Sequence, residues 1–113
     1  MKIELLYFSS CPNHAQARAL VEETVRKRSV PAELVLTEVS SPEEATERHF
    51  LGSPTIRVND VDIDPTARSS DDFGLKCRLY HDGNHLTGVP PRELLERALS
   101  EASDSRTNEI RPL

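Results

Sequence analysis

The chain of 113 residues predicts an α/β domain, a mixed four-stranded sheet with helices on both faces. Three observations predict it. The segment Ile3-Glu4-Leu5-Leu6-Tyr7-Phe8 carries apolar residues on both faces, the pattern of a central, doubly covered strand. Apolar periodicities then follow in the order strand, helix, strand, helix, strand, strand, helix. The early strand–helix–strand unit must be parallel and right-handed, while a later tight turn adds antiparallel strands.

The first strand covers Lys2 to Phe8. A helix from Asn13 to Arg28 follows, with Ala17, Leu20, Val21 and Val25 on one stripe, Thr24 among them, and charges elsewhere. Pro31 closes it. Glu33 to Val39, rich in valine and leucine, reads as the second strand. Ser41-Pro42-Glu43-Glu44 is a helix start: Ser41 suits the cap, Pro42 the first helical position, and Glu44 completes a capping box. That helix is short, ending near Phe50, with Gly52 placed as its terminator. Thr55 to Val58 and Val61 to Ile63 flank Asn59-Asp60, two residues that tolerate positive φ, so this is a tight hairpin. Residues 64 to 88 are the least patterned. A short strand or turn of helix is expected in Leu75-Lys76-Cys77-Arg78-Leu79-Tyr80. Gly88-Val89-Pro90-Pro91 opens a last helix with Leu94, Leu95, Ala98, Leu99 and Ala102 on one face. One domain over 1–102 and a disordered tail over 103–113 are predicted. The inward set is Leu5, Tyr7, Leu20, Val21, Val35, Ile56, Val58, Leu95 and Leu99.

Hydrophobic residues make up 36% and charged residues 29% of the chain, and the net charge is −5. That charge argues against a nucleic-acid partner, which needs a basic face. The longest uninterrupted apolar stretch, Leu5 to Phe8, is too short for a membrane span or a signal-peptide core, so the expectation is a cytoplasmic protein with no membrane partner. In that compartment its two cysteines point to reactivity or metal binding rather than to a structural disulfide.

Cys11 stands between the end of the first strand and the first helix, followed at once by Pro12. Free N–H groups and partial positive charge at a helix start favour thiolate, the form that attacks disulfides and binds soft metals. A partly accessible, fast-reacting thiol is expected. His14, three residues on, is either an imidazole partner one turn away or a solvent-facing residue. Cys77 either resolves an intermediate at Cys11, shares a soft metal with it, or is an inert core residue. Arg78 is a thiolate partner or a surface charge. Asp60, Asp62 and Asp64 alternate along one face, which reads as a solvated strand face because it lacks the glycine and terminal glutamate of a calcium loop. His81 and His85 flank a turn at Asp82-Gly83-Asn84. Two cysteines and scattered histidines form no four-ligand spacing, so no metal site is assigned.

Cys-Pro-Asn-His at the first strand–helix junction, with Ser-Pro-Thr before the hairpin, resembles the thioredoxin superfamily over about residues 2 to 100. The resemblance implies a three-layer sandwich, Cys11 as nucleophile, and Pro54 as a cis-proline facing it. It also implies a substrate-facing surface of Pro12, Ser53, Pro54 and Thr55, with the Ser53 backbone as an open edge for an extended peptide or a thiol-bearing ligand. His14 stands where the resolving cysteine would be, as in glutaredoxin-like proteins that keep only the first cysteine. The stretch Phe73-Gly74-Leu75-Lys76-Cys77-Arg78-Leu79-Tyr80, followed by Gly-Val-Pro-Pro, also looks like small bacterial thioredoxin-like proteins, some of which carry names borrowed from alkylmercury lyases.

Three functions follow as expectations. The first is a thiol–disulfide oxidoreductase using Cys11, His14 and Cys77. It has no bound cofactor, and glutathione or Cys77 supplies the second thiol; its partner is a disulfide-bearing protein or a small thiol. The second is an organomercurial lyase or heavy-metal-binding thiol protein, with His14 or Asp72 as proton donor and a soft metal ion as ligand. The third is a non-catalytic module that presents the Ser53-Pro54 edge to a partner.

Overall fold

A computed structural model describes residues 1–110, with side chains described through Ala102. Its centre is β1 (Lys2–Tyr7), flanked by β2 (Glu33–Glu38) in parallel and β3 (Thr55–Val58) antiparallel, with β4 (Val61–Asp62) outside β3. The order is β2-β1-β3-β4, a mixed four-stranded sheet, as the sequence predicts.

Alternation along β1 builds two cores. Ile3 and Leu5 face one side and meet Ala17 and Val21 of α1 (His14–Arg28) and Leu95, Ala98 and Leu99 of α3 (Arg92–Ile110). Leu6 faces the other side and packs with Val39, Phe50 and Ala45 of α2 (Pro42–Glu47). Helices therefore lie against both faces. Tyr7 and Leu20 are half-buried against the first core. Val35, expected inside, is half-buried and belongs to neither core. It pairs with Glu4, whose carboxylate accepts the Thr37 hydroxyl at 2.7 Å. The short α2 covers only the Leu6 end of that face and leaves this end polar.

Local chemistry sets the boundaries. At the end of α1, Ser29 is left-handed (φ 51), with Ser29 N–H bonded to Arg26 O and Val30 N–H to Val25 O, a Schellman closure. Ser41 caps α2 by accepting the Glu44 N–H at 3.0 Å, while the Glu44 carboxylate reaches back to the Ser40 N–H at 2.9 Å. Gly52 does not terminate α2. The helix ends at Glu47, and His49 takes the positive φ of 54. Asn59 and Asp60, with φ of 51 and 69, make the tight hairpin turn.

Between residues 64 and 88 lie a short 3₁₀ helix (Pro65–Ala67) and a separate hairpin of β5 (Tyr80–Asp82) and β6 (His85–Thr87), turned by Gly83 with φ 63. In the Leu75–Tyr80 stretch the structure has a single parallel bridge from Cys77 to Ser53, leading into β5. The backbone of α3 continues past Ala102 to Ile110, into the segment assigned to the tail, and 111–113 lie outside the described residues. No helix among the described residues is long and apolar enough to cross a membrane.

Candidate functional site

β1 runs into Cys11, and β3 starts one residue after Pro54. Because the two strands are antiparallel with Leu6 opposite Thr55, the Cys11 loop and the Ser53-Pro54 loop emerge at the same end of the sheet. Cys77 joins that end through its bridge to Ser53. Gly88 completes it. The Asn13 side-chain amide fills the space beside its Cα, and a Cβ there would collide with it. The topology thus gathers Cys11, Ser53, Pro54, Thr55 and Cys77 from three separate stretches of chain.

Cys11 differs from its expectation in two respects. It is buried, 2% exposed, rather than partly accessible. The chain turns back after β1, with Cys11 N–H bonded to Phe8 O at 3.0 Å. The helix also begins later than the thiol: Asn13 is the N-cap of α1 and makes no side-chain capping bond. Cys11 therefore precedes the first turn instead of sitting in it, although the first-turn N–H groups have no side-chain acceptor at the cap. Pro12 is exposed. The His14 ring stacks on Tyr7, 4.8 Å between centroids and 20° between planes, so the imidazole is fixed against the last residue of β1. Cys77 is exposed rather than in the core, and both cysteines are free thiols.

The Ser53-Pro54 peptide bond is cis. Its surroundings are closed, not open-edged. Ser53 is 0% exposed, its N–H donates to Lys76 O at 2.8 Å, and its C=O accepts the Arg78 N–H at 2.9 Å. The Thr55 hydroxyl donates to Gly52 O at 2.6 Å, and the Tyr80 hydroxyl donates to Pro54 O. Gly52 has φ 123, and a Cβ there would stand 3.0 Å from Lys76 O and from Arg78 Cβ, so only glycine lets the two segments lie this close. The Ser53 Oγ is buried and has no hydrogen-bond partner among the described residues.

Arg78 is neither a surface charge nor a thiolate partner. It is 6% exposed and forks onto Asp62, Nη1–Oδ2 at 2.7 Å and Nη2–Oδ1 at 2.9 Å. Nη1 also reaches the Thr55 hydroxyl at 3.1 Å, and the guanidinium lies 4.5 Å over the Tyr80 ring. Burial opposes its charge, but the bonds to Asp62 together with the charges of Tyr80, Asp62 and Asp64 outweigh it, so its pKa is raised. Burial likewise pushes the Tyr80 hydroxyl up, against the pull of the Arg78 charge. Asp62 is thus a buried ion-pair partner and not part of a solvated face. Asp60 pairs with Lys2 at 2.8 Å, and Asp64 caps the 3₁₀ helix. Asp72, the alternative proton donor, is exposed and paired with Lys76. His81 and His85 are exposed on the β5–β6 hairpin. No group of three or more histidine, cysteine or carboxylate side chains among the described residues is arranged to hold a metal ion.

The sequence reading missed the Arg78–Asp62–Tyr80 cluster. It also missed an open groove of ≈ 660 Å³ on the part of the sheet that α2 leaves bare, lined among others by Lys2, Glu4 and Arg57. Arg57 spends one guanidinium nitrogen there on the carbonyls of Arg48 and His49, at 2.7 and 2.9 Å, which closes the end of α2. Comparison with protein-family models, with curated proteins and with solved structures gives no match.

Proposed function

We propose that this protein is a thioredoxin-like thiol–disulfide oxidoreductase acting through Cys11. The observation that carries the reading is the convergence at one sheet end of the Cys11 loop, the Ser53-Pro54 loop and a second free thiol, Cys77. The uncapped first turn of α1 adds N–H groups beside the loop that bears the thiol. In the reaction the Cys11 thiolate attacks one sulfur of a disulfide. A bond forms between Cys11 Sγ and that sulfur as the original S–S bond breaks, and the other sulfur leaves as a thiolate with the electron pair. A second thiol, from Cys77 or a small thiol such as glutathione, attacks Cys11 Sγ of the mixed disulfide; a new disulfide forms between Cys11 and that thiol, and the bound half leaves as a thiolate with the electron pair. His14, stacked on Tyr7, opens α1 three residues after Cys11. The test is formation of a mixed disulfide mapped by mass spectrometry. It is expected at Cys11 in the reduced protein and lost in Cys11→Ser, and its absence would remove the reading.

The two free thiols at one end also suit linear coordination of a soft metal, the second reading. One mercuric ion bound per chain, with binding lost in both Cys11→Ser and Cys77→Ser, would favour it. A non-catalytic module that offers the Ser53 edge has less support, because that edge is already paired within the chain.

A further inference from the structure

We infer that the Cys11 site takes compact disulfides of small thiols and does not dock an extended polypeptide, because the chain's own Lys76–Arg78 segment occupies the backbone edge a peptide would use. The inference rests on the reading of Cys11 as a reactive thiol and adds the substrate class.

An extended peptide is held beside a sheet chiefly through main-chain hydrogen bonds to a free edge. At this end of the sheet the candidate edge is Ser53. Its N–H and C=O are both spent, on Lys76 O at 2.8 Å and on the Arg78 N–H at 2.9 Å. Side chains anchor the occupying segment. Arg78 is bonded twice to Asp62 and once to Thr55, and Tyr80 is bonded to Pro54 O. Gly52 has no side chain and lets the segment approach to within contact of the loop. A competing peptide would have to break two backbone bonds and uncover a buried ion pair to gain the same two bonds. The thiol itself points to the same class independently: at 2% exposure it admits only a slender reactant. The segment also carries a cysteine at the position paired with Ser53. The chemistry is the exchange written above. Cys11 sulfur bonds to one sulfur of a small disulfide, and the other leaves as a thiolate.

The test uses the full chain with Cys77→Ser, so that one thiol reports. Three disulfides sharing one aromatic leaving thiol are compared: a small one, one whose other half is the central cysteine of an extended ten-residue peptide, and one carrying a polyether chain of the same mass. Each adduct is mapped to Cys11, and each rate is normalised to that of an unstructured cysteine peptide. The expected result is that the small disulfide reacts fastest and that the peptide gains nothing over the polyether. A peptide faster than the polyether by about tenfold, what two net backbone hydrogen bonds are worth, would overturn the inference. So would exchange of the Ser53 and Arg78 amide hydrogens at unprotected rates. No adduct at Cys11 from any probe, with those two amides still protected, would instead overturn the thiol reading and the ligand class with it, while leaving the closed edge standing.

Discussion

Arg78 and Asp62, sixteen residues apart in sequence, form a buried two-pronged ion pair that ties the segment after Cys77 to the end of β4. Both side chains are nearly out of solvent, at 6% and 9% exposure. Removing one partner strands the other charge. Asp62→Ala should therefore cost about 3–5 kcal/mol, read from denaturant midpoints. The double replacement of Arg78 and Asp62 by methionine and leucine should recover much of that loss. A single variant as stable as the parent would mean that the pair is solvated in solution.

Gly52→Ala tests the close approach of the two segments. The backbone there has φ 123, and a Cβ would meet a backbone oxygen at 3.0 Å. The conformational penalty alone is about 1–3 kcal/mol, and the contact adds to it. Thermal unfolding should show a lowered midpoint. Gly74→Ala, where a Cβ meets nothing within 4 Å, is the matched control and should change little.

The two thiols should be modified in the order opposite to the one the sequence suggests. Cys77 is exposed and Cys11 is 2% exposed. Brief alkylation of the native, reduced protein should label Cys77 first, with Cys11 following more slowly. Peptide mapping after a time course reads the order, and equal labelling at early times would contradict the burial of Cys11.

Glu44 links α2 to pH. Its pKa lies below the usual 4.5 because the Ser40 N–H bonds its carboxylate and, secondarily, because Arg48 does. A carboxyl depressed in the folded state stabilises above its unfolded pKa, and that contribution is lost as pH falls through the lower folded value. Glu44→Gln should be less stable than the parent at neutral pH, and the difference should close in acid. Paired denaturation curves at the two pH values check it, and a pH-independent gap would show that the carboxylate's charge is not what matters.

The first strand, the hairpin turn and the Ser41 cap were legible because each is written locally. A run apolar on both faces marks β1, two residues tolerant of positive φ mark the turn, and S-x-x-E marks the cap. The segment 75–80 was not, because its burial runs against its hydropathy. Leu75, Cys77 and Leu79 face out, whereas Arg78 and Tyr80 are buried. An arginine reads as buried only when its carboxylate is known to be waiting, and Asp62 lies on a different element. Cys11 misled for a related reason. Its neighbours in sequence are a strand end and a helix start, but the turn between them sends the side chain inward. The cis Ser53-Pro54 bond was expected from resemblance and not from any local signal.

The pairing of Ser53 with Lys76 and Arg78 also constrains how the chain is completed during synthesis. Ser53, Pro54 and Thr55 leave the ribosome more than twenty residues before Arg78, and until Arg78 arrives the Ser53 N–H and C=O have only water to bond. The part of the main core supplied by Leu95, Ala98 and Leu99 arrives later still. A nascent chain or a proteolytic fragment ending before Lys76 would hold the Cys11 loop and the proline loop without the segment that seals them. It would expose to other proteins the backbone edge that the finished molecule keeps for itself.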